Sequence, residues 1–201
     1  MNLSTKNAAW LASITLLAVV LLQLVYMGLR STGTDFDSAD IWIWEAIDFS
    51  IIALCGLLLM VRSKTAQTAA AAIALGGIFN VVQVGMGMAM FPPLQDGGEA
   101  LAGVYQSVLA GAFWLYFIGK ALFGIAALLL GVALVRQAEL WPRIIGGLAV
   151  ISGLGALLVN TFALRQGMSM VFPAGATGTA ATFFLAIALV MVVKREQAAE
   201  S

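Results

Sequence analysis

Six apolar segments, each close to the length of a membrane-spanning helix, dominate this chain. They run from about residues 8–29, 41–61, 68–91, 112–135, 144–164 and 172–193. The hydrocarbon core of a bilayer requires about 20 apolar residues in a helix. Because a backbone in lipid must satisfy its own hydrogen bonds, such segments are expected to be helical. The sequence therefore predicts an all-α polytopic membrane protein, with six transmembrane helices in one domain covering residues 1–201.

The composition leaves little material outside the membrane. Hydrophobic residues make up 62% of the chain and charged residues 10%, whereas soluble domains have about 45–50% and about 25%. The formal net charge is zero, so we expect no basic surface and no nucleic-acid partner. The lipid bilayer is then the first partner that the sequence predicts.

The chain contains no histidine, and its one cysteine is Cys55. Histidine is the commonest general base and metal ligand and the usual axial ligand of haem. A single cysteine also excludes an intrachain disulfide or a thiolate metal cluster. We therefore expect a protein that is not an enzyme, with no catalytic residues, no metal and no cofactor. An enzyme acting on lipid would need a mechanism based on carboxylates alone, and no motif indicates one.

The distribution of basic residues predicts the orientation. One face of the predicted bundle has seven lysines and arginines, and the other has only Arg30 and Arg165. The positive-inside rule places the first face, and with it both termini, in the cytoplasm. The basic residues of that face are Lys6, Arg62, Lys64, Arg136, Arg143, Lys194 and Arg195. The predicted outer loops carry Asp35, Asp37, Asp40, Asp96 and Glu99.

Two segments near predicted helix ends leave alternatives open. The first apolar stretch is longer than a signal-peptide core of about 7–15 residues, so we interpret it as the first transmembrane helix. Residues 97–111 (GGEALAGVYQSVLAG) would make the fourth helix too long to span without a break. They are expected either to lie at the interface or to begin that helix beyond the membrane.

A weak repeat relates two parts of the chain at a shift of eighty residues. NVVQVGMGMAMFPP begins at Asn80, and NTFALRQGMSMVFP begins at Asn160. The match favours a two-helix duplication of segments two and three in segments four and five, since membrane folds are often built from repeats. Shared composition at helix ends explains the match equally well.

Residues 113–164 carry two glycine-rich stretches joined by a turn with the sequence Trp-Pro-Arg. They read FWLYFIGKALFGIAALLLGVALVRQAELWPRIIGGLAVISGLGALLVNTFAL. This region resembles a broad bacterial family of six-helix integral membrane proteins of unknown function. The resemblance implies six helices and a multi-pass location in the bacterial cytoplasmic (inner) membrane. It implies no activity and no site residues.

Three charged residues lie inside the predicted helices. Glu45 and Asp48 are three residues apart and so share a helix face, at roughly 6 Å and 10 Å below the outer boundary. Lys120 lies roughly 12 Å deep in the fourth helix. Ionisable residues at membrane depth are costly and usually functional.

Two interpretations of these charges remain open. In the first, Asp48 and Lys120 only clasp helices two and four, and the protein is a structural or accessory subunit of a membrane complex. In the second, an outward-facing polar pocket binds or moves a small solute or ion. One carboxylate would pair with Lys120 and the other would bind a cation or carry a proton. The predicted ligand- or ion-binding residues are Glu45, Asp48, Lys120, Gln83, Asn80 and Asn160.

Other ligands fit the sequence less well. A lysine facing two carboxylates also suggests a retinal Schiff base, but a lysine in the fourth of six helices fits retinal proteins poorly. Methionines near two outer helix ends suit Cu(I). Met86, Met88 and Met90 alternate, however, so a shared site requires the helix to end before them. The glycine-rich helix faces, where backbones can approach closely, predict a homo-oligomer or a larger membrane complex.

Overall fold

A computed structural model describes residues 3–33 and 38–200 and shows an all-α chain. Six α-helices follow in chain order, and a 3₁₀ turn at Gly167–Met170 joins the last two. The helices are α1 (Thr5–Ser31), α2 (Ser38–Arg62), α3 (Gln67–Asp96), α4 (Gly98–Val135), α5 (Leu140–Gln166) and α6 (Val171–Glu200). The predicted fold class is thus confirmed as all-α. Asp35 and Asp37, predicted for an outer loop, lie outside the described residues.

Five helical stretches in the described chain are long and apolar enough to cross a membrane. Four of them fall in α1 to α4. The fifth, Leu140–Ala199, has 60 residues and contains α5, the 3₁₀ turn and α6. Helical structure does not stop between α5 and α6, which is why the six predicted segments give five separate stretches. Gly167 nevertheless ends α5 with a φ of 66°, a conformation that glycine adopts readily, and α6 packs back against α5.

The largest difference from the predicted boundaries concerns α3 and α4. Helix α3 continues through Pro92 and Pro93 to Asp96. Helix α4 begins at Gly98 rather than near residue 112. Of the two alternatives for residues 97–111, the structure agrees with the one in which they begin the fourth helix. A helix of 38 residues is about 57 Å long, well beyond a hydrocarbon core of about 30 Å.

Five of the six helices form a closed ring. Along the chain α1 packs on α2, α2 on α3 and α3 on α4. Helix α4 then packs on α6, and α6 returns to α1. Helix α5 lies outside this ring and, among the described elements, packs only on α4, α6 and the 3₁₀ turn. The ring leaves an interior that is bordered by every helix except α5.

Glycines allow α4 and α5 to touch backbone to backbone. A Cβ atom built on Gly124 would lie 2.8 Å from the carbonyl oxygen of Gly153, and one built on Gly146 would lie 2.7 Å from that of Gly131. Small residues at such seams permit close approach of membrane helices. Four of the glycines that suggested oligomerisation therefore serve a contact within one chain.

A larger residue at this seam is expected to push α5 away. Gly153→Leu should lower the free energy of unfolding by at least about 1–3 kcal/mol, the usual cost of overpacking. Gly147→Leu in the same helix is the matched control, because a Cβ there meets nothing within 4 Å. Reversible unfolding in mixed micelles measures both. Equal stability of the two variants would contradict the close contact between the backbones of α4 and α5.

Two residues near the end of α6 form hydrogen bonds with the α2–α3 and α4–α5 connections. These connections lie at one end of the bundle, called here the inner end. Arg195 donates a hydrogen bond of 2.6 Å to the Gln137 side chain, in the connection between α4 and α5. Glu196 accepts hydrogen bonds from the Ser63 hydroxyl at 2.6 Å and from the Lys64 backbone N–H at 2.5 Å. Adjacent residues of α6 therefore hold two different connections.

Removing the Glu196 carboxylate should loosen the connection between α2 and α3. In Glu196→Ala, the amide of Lys64 loses its acceptor, and amide hydrogen exchange over residues 63–66 should become faster. Glu99→Ala, an exposed acidic residue at the start of α4, is the control and should leave this exchange unchanged. Unchanged exchange in Glu196→Ala would show that the hydrogen bonds of Glu196 do not stabilise this connection.

Candidate functional site

A cavity of about 800 Å³ occupies the interior of the ring. Its lining comes from α1, α2, α3, α4, α6 and the 3₁₀ turn, and includes no residue of α5. It extends from the end of the bundle that carries the 3₁₀ turn, called here the outer end, to Phe49, one helical turn beyond Glu45. Seven aromatic side chains form much of the wall. They are Tyr26, Trp42, Phe49, Phe91, Phe113, Tyr116 and Phe172.

Glu45 is the acidic residue of this lining. It is only 8% exposed, yet among the described residues no hydrogen bond or ion pair to its carboxylate is formed. Lys120 and Asp48 are close enough to affect it electrostatically. A buried carboxylate without a polar partner is costly. Glu45 therefore presents an acceptor group to the cavity.

Lys120 forms a hydrogen bond with a residue that was not among the predicted site residues. Its side chain is completely buried, and its ammonium donates a hydrogen bond of 3.0 Å to Gln23 Oε1 in α1. The Thr179 hydroxyl in α6 donates to the same oxygen at 2.5 Å. The ammonium also lies 5.4 Å from the centre of the Tyr116 ring, within the range of a cation–π interaction. One amide oxygen thus connects α1, α4 and α6.

The apolar stem of Lys120 packs against a glycine of α6. A Cβ atom built on Gly178 would come within 2.8 Å of the lysine side chain. The absence of a side chain at this position makes room for the stem, while the ammonium reaches Gln23. Such burial of the stem with a bonded head group is typical of lysines in membrane helices.

The predicted pairing of Asp48 with Lys120 is not found among the described residues. Asp48 is half-buried and does not belong to the lining of the cavity. Although Asp48 and Glu45 are one turn apart in α2, only Glu45 lines the cavity. The three predicted charges thus have different positions. Glu45 lines the cavity, Lys120 lies behind the lining and donates a hydrogen bond to Gln23, and Asp48 is not part of the lining.

The three predicted amides also have different positions. Asn80 and Gln83 in α3 line the cavity. The Asn80 amide nitrogen donates 2.7 Å to the carbonyl oxygen of Gly76, and its Oδ1 is buried with no hydrogen-bond partner among the described residues. Asn160 lies in α5, outside the cavity, and donates to the carbonyl oxygens of Ala156 at 2.9 Å and Ala174 at 3.2 Å.

Sequence reasoning missed Gln23, Tyr116 and Thr179. Gln23 gave a detectable signal, because it is the only amide within the apolar run of the first predicted helix. Tyr116 and Thr179 gave none, since a tyrosine or threonine in a membrane helix is ordinary. The methionines do not form the soft-metal site considered above: α3 remains helical through Met86, Met88 and Met90, which keeps neighbours in that series on opposite faces.

Comparison of the chain with protein-family models, with curated proteins and with solved structures finds no match. The resemblance of residues 113–164 to a bacterial six-helix family therefore stays a prediction. What the site does must be inferred from its own geometry.

The hydrogen bond between Lys120 and Gln23 is expected to stabilise the bundle. Gln23→Leu leaves a buried ammonium without its acceptor, so the free energy of unfolding should fall by about 1.5–3 kcal/mol. Lys120→Met in the same background should restore part of the loss, because no buried charge then remains. Gln83→Leu, which also removes an amide from the lining, is the control. Strictly additive effects of the two single changes would contradict the bond.

Proposed function

We propose that this chain is a protein of the bacterial inner membrane that binds or moves a small solute or ion through its outward-facing cavity. It acts without catalysis, and both termini are cytoplasmic. Glu45, Asn80 and Gln83 contact the solute, and Lys120 supports the cavity wall through Gln23. Asp48 and Asn160, which the sequence suggested as site residues, do not belong to this proposed contact set.

Six membrane crossings are the topology that best suits the bundle. A straight helical rod over the 60 residues of Leu140–Ala199 would be about 90 Å long, three times the hydrocarbon core. The turn at Gly167 and the packing of α6 on α5 support two crossings in this stretch. Seven basic residues at the inner end support a cytoplasmic inner face.

The two asparagines related by the weak repeat support an internal duplication of α2–α3 in α4–α5. Asn80 and Asn160 each donate to the carbonyl oxygen four residues earlier. Each Oδ1 is also buried without a partner among the described residues. Asn80 lies against Gly119 of the next helix, and Asn160 bonds Ala174 of the next helix. In this proposal the asparagine of the first copy borders the cavity, and the asparagine of the second copy lies in α5, outside the ring.

One observation carries the proposal, namely the buried carboxylate of Glu45 facing the cavity without a polar partner. Ionisable groups at membrane depth are retained chiefly for function. A purely structural role would place the acidic group in a clasp. Here Lys120 already joins α4 to α1 and α6 through Gln23 and Thr179, so helix clasping does not require Glu45. This favours solute binding over a structural or accessory subunit.

Assembly into a homo-oligomer or a larger complex remains part of the proposal. Helix α5 lies outside the ring, and no other helix of the described residues comes within 4 Å of a Cβ built on Gly147 or Gly155. This outer face of α5 is open to lipid or to another helix. A monodisperse monomer in nanodiscs would contradict assembly without affecting the cavity.

Access to the cavity from outside can be tested with a cysteine at Gln83. In a Cys55→Ala background, Gln83→Cys should react with a membrane-impermeant cationic methanethiosulfonate added to right-side-out vesicles. An anionic reagent of similar size should react about tenfold more slowly, because a negative cleft concentrates cations. Glu45→Gln should remove most of that preference.

The unmodified chain is the matched control for this labelling. Its single thiol, Cys55, is buried in the hydrophobic core and should not react from either side. Reaction of Gln83→Cys only in inside-out vesicles, or equal rates with the two reagents, would contradict an outward-facing acidic cavity.

A further inference from the structure

We propose that the cavity binds a protonated primary or secondary amine that carries an aromatic or other apolar body. This inference names the ligand of the site described above and therefore rests on the proposed function. It is drawn from three properties of the lining, which are its charge, its free hydrogen-bonding group and its aromatic wall.

The charge of the lining favours a cation. Glu45 is the acidic group of the lining, and Lys120 is not part of the lining. Lys120 is fully buried and donates to Gln23, so its ammonium is held behind the wall. Among the described residues, no cation pairs with the Glu45 carboxylate that faces the cavity. A cationic ligand would supply the missing charge, whereas an anion would be repelled.

The free hydrogen-bonding group of the lining is an acceptor. Because the Asn80 nitrogen donates to Gly76, the orientation of its amide is set, and Oδ1 is the atom left without a partner among the described residues. Asn80 borders the cavity but has no exposed surface, so a ligand donor reaches this oxygen only when neighbouring side chains move aside. A ligand with at least two N–H donors can serve both this oxygen and the Glu45 carboxylate. Protonated primary and secondary amines have such donors.

The size and wall of the cavity favour an organic body over a bare ion. A volume of about 800 Å³ is within the range of pockets for drug-sized ligands, whereas a metal ion would need about six oxygen ligands close together. The wall instead offers aromatic rings, among them Trp42, Phe91 and Phe113. Such rings pack on an apolar body and attract a cation by their π faces.

Binding of 2-phenylethylamine to the full chain in nanodiscs tests the inference. Binding is measured by equilibrium dialysis, and empty nanodiscs serve as a blank that corrects for partitioning of the amine into lipid. The neutral analogue 2-phenylethanol should bind about tenfold to a hundredfold more weakly, since it lacks the charge-assisted hydrogen bond. The N,N,N-trimethyl derivative keeps the charge but has no N–H donor, and should also bind more weakly than the amine.

A pair of variants in one helix makes the test specific. Glu45→Gln should weaken binding of the amine by about tenfold to a hundredfold. Asp48→Asn removes a carboxylate one turn away, outside the cavity, and should change binding less than about threefold. Both variants must first give the same unfolding midpoint as the unmodified chain. If Glu45→Gln does not fold, the comparison of amine with alcohol on the unmodified chain decides alone.

The possible outcomes separate this inference from the proposed function. Equal binding of amine and alcohol would overturn the amine as ligand, while the cavity would still bind solutes. Equal binding of the amine and its trimethyl derivative would overturn the role of the N–H donors. Failure of every probe to bind would overturn the inference, and the labelling of Gln83→Cys would then decide separately whether the cavity is open.

Discussion

The hydrogen bond from Lys120 to Gln23 is the interaction on which the interior of this bundle depends. A lysine ammonium in the middle of a helical bundle is costly unless polar groups surround it. Gln23 provides the oxygen, Thr179 donates to the same atom, and the Tyr116 ring lies beside the ammonium. Because this network uses an amide rather than a carboxylate, the lysine is held without an ion pair to the nearby acidic residues.

The position of this network determines what the rest of the ring can contain. It joins α1, α4 and α6, three of the five helices around the cavity. Helix α5 supports α4 from outside through glycine contacts that bring the two backbones together. With the wall held in this way, Glu45 needs no structural partner and can face the cavity. The bundle thus separates the charge that stabilises the wall from the charge that faces the cavity.

The fold was largely predictable because apolar length is a strong signal. The helical nature of all six segments followed from hydropathy. The sequence left the start of α4 open between two alternatives, because residues 98–111 alternate polar, small and apolar residues and do not form a continuous apolar run. The joining of α5 and α6 into one helical stretch was also missed. It depends on a 3₁₀ turn at Gly167, a conformation that composition does not specify.

The site was predictable only in part, for a geometric reason. The depth of a residue follows from its position along a helix, so Glu45, Gln83 and Asn80 were predicted at heights where they can share a cavity, and all three line it. The direction in which each side chain points depends on how the helices pack around the ring. Depth alone did not show that Asp48 lies outside the cavity lining, that Asn160 belongs to a helix outside the ring, or that Gln23 reaches Lys120.

A crystal structure of the protein with 4-bromophenethylamine, analysed by the anomalous signal of bromine, tests the central claim most directly. The account predicts bromine among the aromatic side chains of the cavity, the ammonium at the Glu45 carboxylate, and Lys120 still bonded to Gln23. A Glu45 carboxylate paired directly with Lys120, in a bundle whose interior is closed and contains no bromine, would contradict it.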